Sequence, residues 1–113
     1  MHEVSIIQEV INITQNTAAE NNMKRVDKIT LKIGELSGAM IDSLVFAFNI
    51  IRQGTLVETS ELEFIKVEAK AKCDNCDIIF KIDHFNRLCP TCNEFSNNVI
   101  SGYELYIETI EGE

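Results

Sequence analysis

Apolar positions near the start of the chain recur at spacings of three and four. Val4, Ile7, Val10, Ile11, Thr14 and Ala18 share one face, Ile6 and Ile13 widen the stripe, and Gln8, Glu9, Gln15 and Asn16 lie opposite. This spacing predicts an amphipathic helix over residues 4–22, ended by Asn21-Asn22 because asparagine competes for backbone hydrogen bonds. The period then falls to two. From Val26 to Gly34, Ile29, Leu31 and Ile33 alternate with Lys28, Thr30 and Lys32, the pattern of a half-buried strand. Gly34-Glu35-Leu36-Ser37-Gly38 turns the chain into a second helix containing Leu44, Val45, Phe48 and Ile51. Asp42 or Ser43 is placed to cap that helix and Gly54 to close it.

A second strand is predicted from about Leu62 to Lys72. Its alternation slips: Leu62 and Phe64 share one face, whereas Ile65, Val67, Ala69 and Ala71 share the other. Such a slip reads as a bulge or bend, by which one long strand leaves a sheet and enters another. After a polar, cysteine-containing insert from Cys73 to about Phe95, strand character resumes over Gly102 to Glu111, with Tyr103, Leu105 and Ile107 on one side. Two helices on one face of a three-stranded sheet would bury these stripes, an α+β fold.

The insert carries the clearest chemistry. Cys73-Asp74-Asn75-Cys76 and Cys89-Pro90-Thr91-Cys92 are two C-x-x-C knuckles separated by twelve residues. A two-residue gap lets both sulfurs of a tight turn face one ion, and two knuckles together supply the tetrahedral thiolate set that zinc prefers in closed structural sites. The connection Asp77 to Leu88 is long enough for a hairpin, with Ile78, Phe80 and Ile82 packing beneath it. A four-cysteine cage also suits iron, and a redox pair is the other alternative. His84 lies inside the module as a spare ligand or a solvated loop residue. The expected division is an α+β domain over 1–71 and 99–113, with a small zinc-ribbon-like module at 72–98 inserted before the last strand.

Composition narrows the classes. The 113 residues are 45% hydrophobic and 25% charged with one proline, which describes a folded globular protein, and the length allows one domain or one domain with a small module attached. The densest apolar stretch, Leu44 to Ile51, is broken by Asn49 and falls far short of a membrane span, and Met1-His2-Glu3 lacks the basic start of a signal peptide, so the expected location is cytoplasmic. A formal charge of −8 argues against direct contact with nucleic acid and fits cations, basic protein partners or plain solubility, the last being the default. With no nucleophile–base motif, no phosphate loop and two histidines, the expectation is not an enzyme; Glu35 and Asp42 read as surface carboxylates.

One of the two histidines is His2. A bulky second residue retains Met1, so the Met1 amine, the His2 backbone nitrogen and the His2 imidazole can reach one metal through short chelate rings. Glu3 adds a carboxylate or a backbone nitrogen. Nitrogen donors in a plane suit nickel or copper. The competing account is a chance Met-His start on an ordinary chain terminus.

In order and spacing, the whole chain resembles the HypA/HybF hydrogenase-maturation nickel metallochaperones. The features that carry the resemblance are Met1-His2-Glu3, the Val- and Ile-rich helix behind it, Ile33-Gly34-Glu35-Leu36, Leu44 to Phe48, and the two knuckles followed by a final strand. The resemblance implies a cytoplasmic protein that binds Ni(II) through Met1, His2 and Glu3 and holds structural Zn(II) through Cys73, Cys76, Cys89 and Cys92. It implies delivery of nickel, with a HypB-type GTPase, to the large subunit of nickel-iron hydrogenase, and in some organisms a role in urease maturation. Neither nucleic acid nor membrane is an expected partner, and the expected state is a monomer or weak homodimer. Asp42 lies near where some relatives offer a further carboxylate. The rivals are a zinc-ribbon interaction adaptor without nickel and a rubredoxin-like iron carrier.

Overall fold

A computed structural model describes residues 3–113. Two helices, α1 (Glu3–Glu20) and α2 (Ile41–Ile51), accompany six strands: β1 (Val26–Gly34), β2 (Glu61–Val67), β3 (Lys70–Lys72), β4 (Ile79–Lys81), β5 (Val99–Ser101) and β6 (Leu105–Gly112). They form two three-stranded sheets, ordered β2-β1-β6 and β4-β3-β5. The α+β expectation of two helices with a three-stranded sheet and a cysteine module before the last strand is borne out; the module adds a sheet of its own. Among the described residues, no helix is long and apolar enough to cross a membrane.

The chain divides into two compact units. One takes the chain up to Leu31, Ala39–Ile65 and Tyr106–Glu113; the other is Lys32–Gly38 and Lys66–Leu105. The division therefore falls within β1, β2 and β6.

In the first unit, α1 buries Ile7, Val10, Ile11, Thr14 and Ala18, the face that the spacing predicts. Thr14 is tolerated there because its hydroxyl donates to the Val10 carbonyl at 2.7 Å. Val4 and Ile13, expected on the same stripe, are exposed. The helix stops at Glu20, and Asn22 takes a left-handed φ of 55° while Met23 N–H returns to the Ala18 carbonyl at 2.8 Å. On α2, Leu44, Ala47 and Phe48 are buried. Its N-cap is Met40, with no side-chain cap, so neither Asp42 nor Ser43 caps it: both already lie in the first turn. After the helix, the Arg52 guanidinium sits 4.4 Å over the Phe48 ring and donates to the Ser60 carbonyl. Gly54 closes the segment with φ +74°, as expected.

The second unit has its own core of Leu36, Ala69, Ala71, Phe80 and Ile82 together with Cys73 and Cys89. The predicted long strand is in fact two. Pairing lapses at Glu68-Ala69, four residues beyond the slip read at Phe64 and Ile65, and the chain does leave one sheet for the other. Glu35 bridges the lapse: its backbone N–H donates to the Val67 carbonyl at 3.0 Å and its carboxylate accepts from Ala69 N–H at 2.9 Å. Glu35→Ala is expected to destabilise the protein by about 1 kcal/mol, and Glu35→Gln, which keeps a side-chain oxygen, by less. Urea unfolding would measure both; equal midpoints for the two variants would refute this role.

Candidate metal centre

Each knuckle is the turn of a small hairpin, and the two are built alike. Cys73 N–H donates to the Ile78 carbonyl at 2.8 Å and Asp77 N–H returns to the Cys73 carbonyl at 2.8 Å. Cys89 N–H donates to the Glu94 carbonyl at 2.9 Å and Asn93 N–H to the Cys89 carbonyl at 2.8 Å. Position i+4 is left-handed in both, with φ 56° at Asp77 and 64° at Asn93. Only glycine, asparagine and aspartate visit that region cheaply, which explains the residue that follows each C-x-x-C. The sequence reading overlooked this pair, although an Asx directly after each knuckle was the visible signal.

The expected hairpin within Asp77 to Leu88 does not form. Instead β4 pairs back across the first knuckle with β3, through Lys70–Lys81, Ala71–Phe80 and Lys72–Ile79, and an isolated Leu88–Phe95 bridge flanks the second knuckle. Phe80 and Ile82 are buried beneath, as anticipated, because the alternation is the same whichever strand they face. Asn75 donates to Glu94 and thereby ties one knuckle to the other. The Lys72 ammonium, 2.9 Å from Asp77, holds that carboxylate below its usual range.

The four Sγ atoms lie within 4.8 Å of one another, and Cys73 and Cys92 approach to 3.5 Å. A tetrahedron with zinc–sulfur bonds of about 2.3 Å has sulfurs roughly 3.8 Å apart, so the spacing fits such an ion. Cys73 and Cys89 are buried; Cys76 and Cys92 are half-buried. The Cys92 and Thr91 backbone N–H groups draw the Cys89 thiol down to about 7, against the push of burial. Hydrogen bonding to the Cys92 sulfur and burial push Cys76 up to about 12. Sulfurs this close cannot all ionise without a cation among them, and soft thiolates select an ion such as zinc. His84 is exposed and is not among the clustered ligand atoms.

Met1 and His2, two of the three expected nickel ligands, lie outside the described residues. Glu3 is the first residue of α1 and lines a groove of about 700 Å³ that Asp42 also lines, with Val4, Phe46, Ile50 and Ile51 supplying apolar walls. The fold thus brings to one groove two carboxylates that are 39 positions apart in the chain.

The family model described as "Hydrogenase/urease nickel incorporation, metallochaperone, hypA" matches residues 1–112. The hydrogenase maturation factor HypA of Francisella philomiragia subsp. philomiragia is 39% identical over 110 residues, which are 97% of this chain and 97% of that one. The factor of the same name from Moorella thermoacetica is 34% identical over 113 residues, all of both chains. Among solved structures, the solution structure of the Ni metallochaperone HypA from Helicobacter pylori superposes with a TM-score of 0.68 at 26% identity, covering 99% of this chain and 97% of that one.

Proposed function

The chain belongs to the HypA family of nickel-incorporation metallochaperones that act in hydrogenase maturation, and from that premise we propose that it carries Ni(II) on its amino terminus. The Met1 amine, the His2 nitrogens and Glu3 are the ligands, with Asp42 as an auxiliary carboxylate. The cargo passes, with a HypB-type GTPase, to the large subunit of nickel-iron hydrogenase in the cytoplasm, and urease is a second recipient of the same chemistry. The observation that carries this reading is that Glu3, the residue directly after Met1 and His2 in sequence, lines one groove with Asp42.

A chaperone has to hold its ion and then give it up. Ligands contributed by the first residues of a chain can be replaced one at a time by an incoming ligand set, whereas a closed four-sulfur cage exchanges slowly. The division of labour follows: nickel at the terminus is cargo, and zinc on Cys73, Cys76, Cys89 and Cys92 is structural. Zinc there offsets half the charge of the crowded thiolates and joins the two knuckles, and its four ligands leave no position for a catalytic water.

Calorimetric nickel titration tests the reading on zinc-loaded protein with its native, untagged terminus. His2→Ala, and a form with one residue added before Met1, are each expected to bind nickel at least about 100-fold more weakly while keeping zinc. Equal nickel binding by all three proteins would refute the terminal site and leave an interaction adaptor as the better account.

A further inference from the structure

The helix α2 is more apolar than its buried face requires. Leu44, Ala47 and Phe48 fill the core, yet Phe46 and Ile50 stand 62% and 59% exposed, with Val4 of α1 at 59%. These three side chains and Ile51 wall the groove that Glu3 and Asp42 rim. Exposed apolar residues gathered along one concave surface mark a contact surface, unlike the same residues scattered singly.

Charge decides what can occupy it. The unit that contains the groove carries eleven acidic side chains against four basic ones, while the other unit is close to neutral, with seven against six. A second copy of this chain would bring the same acidic unit against itself, and anionic lipid or nucleic acid would meet like charge. A basic protein segment gains on both counts. We propose that the α1–α2 groove docks an amphipathic, lysine- or arginine-rich segment of a partner protein, its apolar residues between Val4, Phe46 and Ile50 and its cations facing Glu3 and Asp42. The apolar walls do not depend on a bound ion, whereas Glu3 and Asp42 are also the carboxylates proposed for nickel, so segment and ion compete for them and the surface is tested without the metal.

The test is a fluorescence anisotropy titration, without nickel, of the zinc-loaded full chain into a labelled helical peptide of leucine, alanine and lysine with its leucines on one face. Two control peptides accompany it: one with the same composition scrambled to abolish the apolar face, the other with glutamate in place of lysine. The native protein is expected to bind the first peptide, and Phe46→Ser and Ile50→Ser to weaken it by about tenfold each. Ile13→Ser, on an exposed part of α1 outside the groove, should leave binding unchanged, and high salt should weaken it. Amide shift mapping should place the peptide on Val4, Phe46 and Ile50. Comparable binding of the scrambled peptide would reduce the effect to bulk charge and overturn the proposal. So would retention by Phe46→Ser and Ile50→Ser, or concentration-dependent dimerisation that Ile50→Ser abolishes.

Discussion

Replacing Gly34 with alanine is expected to cost about 4 kcal/mol or more, enough to leave little folded protein. A Cβ at this position would lie 2.1 Å from the Gly102 carbonyl oxygen, 2.3 Å from its carbon and 2.7 Å from Glu104 N. All three are backbone atoms, so no side chain can swing aside. Relief would require the two segments to part, and that would break Gly34 N–H to the Glu104 carbonyl at 2.7 Å and Leu36 N–H to the Gly102 carbonyl at 2.6 Å. Gly102 is itself tightly placed: a Cβ added there would lie 2.9 Å from both Cα and Cβ of Ala69 and 3.2 Å from Leu36 Cδ1. Gly54→Ala is the control: it faces open space and loses only the left-handed allowance at φ +74°, about 1 kcal/mol. Urea unfolding of the zinc-loaded proteins separates the two, and similar midpoints would show that the close approach is not rigid.

The second large effect concerns the cysteine cluster. Cys89→Ser is expected to abolish zinc binding and to release the amide protection of β3, β4 and β5, while the helical signal of α1 and α2 persists. Cys73 and Cys89 are at once sulfur donors and members of the core that holds Phe80 and Ile82, so losing the ion uncouples both roles. Structural zinc of this kind contributes folding free energy directly. The pH dependence has a definite sign. Zinc binding displaces thiol protons, so affinity falls as pH falls. With Cys89 lowered to about 7, binding at pH 8 should release about one proton fewer than at pH 6. Hydrogen exchange, and calorimetry in buffers of different ionisation enthalpy, measure these outcomes. Full protection of β3–β5 in the Cys89→Ser protein would contradict the account.

Much of this architecture was legible before any coordinates. Strand β1 runs over Val26–Gly34 as its alternation indicates, and the inward face of α1 follows from spacing alone, because burial on one side of a regular element leaves a periodic trace. The features that escaped are those that depend on distant partners. Thr30 reads as an outward polar residue yet is buried, since β1 is the middle strand of its sheet. The lapse at Glu68-Ala69 is set by Glu35, more than thirty residues away. Ile65 looked inward by alternation but is exposed, because it lies within β2, where Leu62 and Phe64 take the more sheltered face; the second phase is buried only at Ala69 and Ala71, beyond the end of that strand. The cysteine cluster was the most readable element, its spacing being chemistry rather than packing. The groove was the least, since nothing local tells which apolar residues of α2 stay uncovered.

The likeness of the two knuckles bears on how fast an ion held there can be exchanged. Each turn closes on its own pair of backbone hydrogen bonds and keeps its two sulfurs aligned without help from the other. An incoming chelator need not wait for the whole molecule to open. It can take the place of one sulfur pair while the other still grips, so exchange should run through a half-coordinated intermediate, with a rate that rises with chelator concentration. The Asn75–Glu94 tie is then the latch between the halves, and Asn75→Ala should speed exchange while leaving the equilibrium affinity nearly unchanged.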